Sequence, residues 1–273
     1  MPLRGETMKC TTFRALLIAA ILVGSGIAPA APRREARPSD SGETPDEFGL
    51  RSCALLNRVD GLRSLLDRGA AVEDRDSGGN TALILAASSG SADVVDLLLE
   101  RGADVNAVNW QQQTALMKAA WYGSERIVRT LVARGADITK ADRRGRTALF
   151  HAVDGLQPSI VGVLLELRFD PNHADRLGRT ALMAVATRSA PSAPGVVRVL
   201  IVGGADVNAR DRSGQTALMF AAEMGARDCV RELLRRKASV NARDNRGRTA
   251  RAYAVENGEE QIVKLLDRAG AAR

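Results

Sequence analysis

From residue 81 onward two kinds of apolar stretch take turns along the chain. TALILAA, from Thr81 to Ala87, is a dense run of small aliphatic residues. SADVVDLLLERG, from Ser91 to Gly102, spaces its apolar residues as one stripe of a 3.6-residue helix. Polar segments rich in Asp, Asn and Gly lie between them. This alternation predicts pairs of short helices joined by turns, and it recurs down the chain.

Thr-Ala pairs stand at Thr81, Thr114, Thr147, Thr180, Thr216 and Thr249, with spacings of 33, 33, 33, 36 and 33 residues. A fixed period in this range marks stacked repeats. Five positions before each Thr stand Asp76, Asn109, Asp142, Asp175, Asp211 and Asp244. Two before it stand Gly79, Gln112, Gly145, Gly178, Gly214 and Gly247. Two after it stand Leu83, Leu116, Leu149, Leu182, Leu218 and finally Arg251.

Each column has a physical task. Asp bonds nearby amides and Gly takes positive φ, so Asp-x-x-Gly is a turn. Thr is expected to cap the first helix. The Ala pairs Ala86-Ala87, Ala119-Ala120 and Ala221-Ala222 give that helix a thin face for close packing, and Gly90, Gly123, Gly225 and Gly258 end it. A single unit cannot bury its own stripe, so its neighbours must cover it.

These columns resemble the ankyrin repeat, whose signature is T-P-L-H-x-A at a period of 33. The resemblance runs from about residue 46 to 273. It implies an all-α solenoid of helix-turn-helix units with short β-hairpin or turn connections. Two departures stand out. Ala replaces the Pro after Thr throughout, and the signature His is Ile84, Met117, Phe150, Met183, Met219 and Ala252. Any Thr–His hydrogen bond of the family is therefore absent.

Counting back 33 from Thr81 reaches Phe48, which opens a degenerate first repeat. Seven repeats result, at about 46–75, 76–108, 109–141, 142–174, 175–210, 211–243 and 244–273. The 36-residue spacing comes from RSAPSAPG, Arg188 to Gly195, in the turn between two helices. Phe48 and Arg251 mark the ends, where a missing neighbour tolerates departures.

In the family, partners contact the hairpin tips and the concave face of the first helix. The resemblance places these contacts four, three and one residues before Thr, and seven and eight after it. Arg fills eight of the eighteen tip slots, Arg143, Arg144, Arg146, Arg176, Arg179, Arg212, Arg246 and Arg248, where about two are expected by chance. No tip slot holds an acid, and Arg188 adds a cation on the helix side. Arg pairs well with carboxylates because of its planar fork. Trp110, Trp121 and Tyr122 occupy three further contact slots of repeat three, and such aromatics are enriched at binding hot spots. These twelve residues form the expected partner face: an aromatic anchor beside a basic ridge.

The remaining composition refines this picture. With 3% aromatics, the core must be Leu, Val and Ala. The first thirty residues combine Lys9 and Arg14 with the apolar run Ala15–Ala28 and an Ala28-Pro29-Ala30 site. They read as a secretory signal peptide cleaved near Ala30, with a retained anchor as the alternative. The apolar run is about six residues short of a bilayer span. Residues 31–45, rich in Pro and charge, read as a disordered linker ahead of a repeat domain at 46–273. The protein is then expected to be periplasmic or secreted, monomeric, and without a membrane span after cleavage.

Catalysis finds little support. Cys53 and Cys229 fall in small apolar columns, too far apart to bridge. His151 and His173 lack ligand-spaced companions, so neither a metal nor a cofactor is expected, and no nucleotide or nucleophile motif is present. A pocket joining His151 to two carboxylates would reopen that question. The function read from the sequence is therefore that of a non-enzymatic module. It binds a folded protein of acidic surface on its concave face and tips, as scaffold or stoichiometric inhibitor. The alternative is an acidic polymer bound along the Arg ridge; the export signal argues against nucleic acid.

Overall fold

The structure, a computed structural model, describes residues 45–272. The signal peptide and nearly all of the linker expected before Pro45 lie outside the described residues. Among the described residues fourteen helices follow one another in seven pairs. The first pair is α1 (Pro45–Leu55) and α2 (Val59–Asp67), followed by α3 (Ala82–Ser89) with α4 (Ala92–Glu100) and α5 (Ala115–Tyr122) with α6 (Glu125–Ala133). Next come α7 (Ala148–Asp154) with α8 (Pro158–Glu166), and α9 (Ala181–Ala186) with α10 (Ala193–Val202). The last pairs are α11 (Ala217–Glu223) with α12 (Arg227–Arg235), and α13 (Ala250–Glu256) with α14 (Glu260–Arg268). Helix α1 begins at Pro45, inside the segment expected to be linker. Among the described residues no helix is long and apolar enough to cross a membrane.

First helices pack on first helices, and second on second, so the core runs continuously along the stack. Leu83, Leu116, Leu149, Leu182 and Leu218 are all buried, as are the Ala pairs that let the first helices approach. Each buried Leu contributes about 1.5–3 kcal/mol relative to exposure. Arg251, at the end of this Leu column, pairs with Asp267 at 2.6 Å, as suits a repeat with no outer neighbour. Cys53 and Cys229 are buried free thiols. Burial, together with the Asp228 charge, pushes the Cys229 thiol up to about 11, so it stays protonated and inert.

The turn columns behave as local chemistry demands. In all six hairpins the Asp or Asn Oδ1 accepts the amides two and four residues on, as Asp142 does from Arg144 at 2.8 Å and Arg146 at 3.0 Å. Gly145 has φ +79°, and Gln112 adopts +62° in the same column of repeat three. Among the described residues strand pairing is confined to one bridge, Ala174 to Thr180, so these connections are essentially turns. Successive tips are tied by backbone bonds: Trp110 N to Gly78 O, Arg143 N to Gln111 O, Arg176 N to Arg144 O, Arg212 N to Leu177 O and Asn245 N to Ser213 O, all at 2.9–3.1 Å. This ladder sets the tip residues in one row.

Two expectations need correction. Thr81, Thr114 and Thr249 cap their helices through the hydroxyl, but Thr147, Thr180 and Thr216 do not. The hydroxyls of Thr180 and Thr216 are buried with no hydrogen-bond partner among the described residues, with Met183 and Met219 where the family signature has His. The insertion lies between α9 and α10 as expected, yet Ala193, Pro194 and Gly195 form the first turn of α10.

Candidate binding face

The tip residues and the exposed ends of the first helices share one face, which carries three open depressions. The first, of about 510 Å³, is lined by Gln111, Gln113, Lys118, Trp121, Tyr122, Asp142, Arg143, Arg144, Arg146 and His151. A second, of about 340 Å³, is reached by Trp121, Arg144, Arg146, Asp154, Asp175, Arg179 and Arg188, among others. Trp121, Arg144 and Arg146 border both. The third, about 360 Å³, includes Arg212, Glu223, Arg246, Arg248 and Tyr253. Ten of the twelve residues singled out from the sequence thus line depressions; Trp110 and Arg176 line none of the three.

The arginines divide into two groups. In the slot before Thr, Arg146, Arg179 and Arg248 each pair with the Asp four residues earlier, at 3.2, 2.8 and 3.2 Å. The Asx turn causes this: the residue whose amide bonds Oδ1 also lays its side chain beside Oδ2. Arg146 continues to Asp154 at 2.6 Å, and Asp154 to Arg188 at 3.0 Å. A charge chain Asp142–Arg146–Asp154–Arg188 therefore joins repeats four and five. By contrast, Arg143, Arg144, Arg176, Arg212 and Arg246 are exposed and form no ion pair among the described residues. Three of the eight arginines in the ridge expected to contact a partner are thus structural.

His151 is 1% exposed, with Nε2 3.3 Å from Asp142 Oδ2. The two atoms are close, but Nε2 has no hydrogen-bond partner among the described residues. Burial alone would push the Asp142 carboxyl up. The His151 ring, the amides of Arg146 and Arg144 and the Arg146 guanidinium outweigh it, holding the group well below the usual carboxylate range. Only this one carboxylate shares the His151 depression, so the arrangement that would reopen catalysis is not assembled there. No cluster of His, Cys, Asp and Glu suited to a metal occurs among the described residues.

Trp121 is 39% exposed and Trp110 56%, so neither belongs to the core; Tyr122 is half-buried, and burial raises its hydroxyl pKa. Trp110 is held from behind. Its ring covers Gly79, where a Cβ would sit 2.6 Å from Cδ2, and its Nε1 donates to Ser77 O at 3.1 Å. Sequence reasoning missed the column four after Thr, which also faces this side and holds Lys118, His151, Phe220 and Tyr253. The signal was helical spacing, since that position lies one turn from Trp121 and Tyr122.

The family model described as ankyrin repeats (3 copies) matches residues 50–142 and 186–271. The chain belongs to the ankyrin-repeat family. Ankyrin repeats form protein–protein interaction modules on a scaffold that is typically non-catalytic. The repeat fold is similar to that in the crystal structure of the human ASB11 ankyrin repeat domain. That match is 24% identical, covers 82% of this chain and 98% of that one, and has a TM-score of 0.71. No curated protein matches the sequence. The unmatched stretch 143–185 carries the ankyrin repeat with Arg143, Arg144 and His151. Its departures include Leu156 at φ +52°, where repeat three has Gly123, and Arg168 at φ +64°, where the adjoining repeats have Gly135 and Gly204.

Proposed function

We propose that this ankyrin-repeat chain is an exported, monomeric binder. It holds one folded protein of acidic surface against its first-helix face and hairpin tips, as a scaffold or stoichiometric inhibitor and without turnover. One observation carries the reading: among the described residues, five tip arginines are exposed and uncommitted to any carboxylate, in a row beside the exposed indole of Trp121. Arginine forks and a half-exposed indole together suit a protein surface with acidic and apolar patches. Export rests on the N-terminal sequence, and periplasmic or secreted placement follows from it.

Affinity capture from envelope extract with the mature chain, repeated with Trp121→Ala, tests this reading. One folded protein should be retained at fixed stoichiometry by the wild type and lost from the variant. Binding that collapses with salt and ignores Trp121→Ala would instead favour an acidic polymer. Sequencing the N-terminus of the mature protein tests cleavage near Ala30.

A further inference from the structure

We propose that the first depression, between α5 and the hairpin of repeat four, receives a side-chain carboxylate from an extended acidic segment of the partner. Lys118 and Arg144 hold that carboxylate, and an adjoining apolar residue covers Trp121. This assignment rests on the protein-binding reading and names the chemistry that its central site selects.

Lys118 is the starting point. It stands four residues after Thr114, on the face that looks into the groove, and it is half-buried. No hydrogen bond or ion pair engages its ammonium among the described residues. Burial with no carboxylate beside it lowers its pKa. A cation in this position is costly unless an anion joins it. Phe220 and Tyr253 show that the same column accepts aromatic residues elsewhere in the stack.

Among the described residues no acid is left to supply that anion. Asp142 is the one acid lining the depression, and it is already committed. Its Oδ1 accepts two amides, and its Oδ2 meets Arg146 and the His151 ring. Lys118, Arg143 and Arg144 therefore face the cavity with no counter-charge left to them. His151 Nε2, buried in the same wall, also makes no hydrogen bond.

The second depression defines the rest of the occupant. There Asp154 holds Arg146 and Arg188 while Asp175 holds Arg179, so Arg144 is its one uncommitted cation. Trp121 lies between the two depressions and offers its indole to an apolar side chain. Further along the face, Glu223 lines the third depression, and Glu256 pairs with Arg248. A phosphate at every step would meet those carboxylates; acids spaced by apolar residues would not.

The test uses the full chain carrying Trp110→Phe, which leaves Trp121 as the sole indole. The probe is the acetylated, amidated peptide Glu-Leu-Glu-Leu-Glu, titrated while Trp121 fluorescence is read. Its Gln-Leu-Gln-Leu-Gln counterpart and oligo-deoxythymidine run alongside. Saturable binding of the Glu peptide is expected, and Lys118→Met should weaken it about tenfold, the loss of one charge-assisted contact. Met retains the apolar stem, so the fold is not put at risk, and Lys264→Gln, which removes an exposed cation of α14 outside the partner face, should leave the affinity unchanged. The proposal is overturned by no saturable signal, by equal binding of the Gln peptide, by indifference to Lys118→Met, or by tighter binding of the oligonucleotide. A captured protein that Trp121→Ala releases but Lys118→Met and Arg144→Gln do not would leave the protein-binding reading standing without the carboxylate site. Peptide binding with no folded protein retained would separate the two in the other direction.

Discussion

The carbonyl oxygen of Trp121 lies only 2.2 Å from the position a Cβ on Gly155 would occupy. Gly155 follows the last residue of α7, so this close approach fixes the end of α5 against its neighbour, directly beneath the proposed anchor. It also explains an oddity of repeat four. Gly90, Gly123, Gly225 and Gly258 stand nine residues after their Thr, at positive φ, but here Gly155 stands eight after and Leu156 takes the left-handed conformation. A leucine there costs roughly 1–2 kcal/mol, which is tolerated because Gly155 is needed one residue earlier.

Gly155→Ala should therefore lower stability by about 1–3 kcal/mol, the usual cost of overpacking, and change Trp121 fluorescence. Gly195→Ala, where nothing lies within 4 Å, is the control and should be neutral or slightly stabilising. Urea midpoints of the two variants check this. Equal midpoints would show that the backbone yields freely at Gly155.

What could be read in advance follows from how local each demand is. The Asp, Gly and Leu columns repeat because every hairpin and every first helix needs the same backbone chemistry, so the register of the fold shows in one sequence. The column of Lys118 and His151 reads Leu85, Lys118, His151, Ala184, Phe220 and Tyr253. No common demand acts on it, and no pattern announces it. The pairing of Arg146, Arg179 and Arg248 was available in principle as Asp-x-x-x-Arg, but only the folded Asx turn shows that both side chains meet. Nothing in the column of threonines distinguishes those that cap from those that do not, since that depends on small differences in turn geometry.

Those threonines give a paired prediction. Thr81→Val removes a cap bond to the Ile84 amide and should cost about 1 kcal/mol. Thr216→Val removes a buried hydroxyl that has no partner, so it should hold or raise stability by up to about 1 kcal/mol. Thermal midpoints moving in the same direction for both would contradict the distinction.

The charge on Asp142 makes a pH prediction. Its folded pKa lies below the ordinary value of about 3.9, so its contribution is complete above that pH and is lost as the pH falls through the lower folded value. Asp142→Asn isolates the charge, because Asn109 already performs the same Oδ1 bonding in repeat three. The variant should be less stable than wild type at pH 7, and the difference should shrink as the pH drops below about 4. Urea titrations at pH 7 and pH 3 measure it; a difference that stays constant would place the effect in shape and not in charge.

Arg144 and Arg146 are two residues apart and should fail in different ways. Arg146 is 16% exposed at its side chain and holds Asp142 and Asp154 together. Arg146→Met leaves two nearly buried carboxylates short of their shared partner, which should cost about 3 kcal/mol. Arg144 lines both depressions but makes no ion pair among the described residues, so Arg144→Gln should leave stability within about 0.5 kcal/mol. The order should reverse for partner binding: Arg144→Gln weakens it in a fully folded protein, and raising the salt concentration brings the wild type toward the variant. Measuring unfolding and binding on the same two proteins separates a residue that builds the hairpin from one that uses it. If Arg144→Gln bound the partner as wild type does, the uncommitted arginines would not be the contact surface.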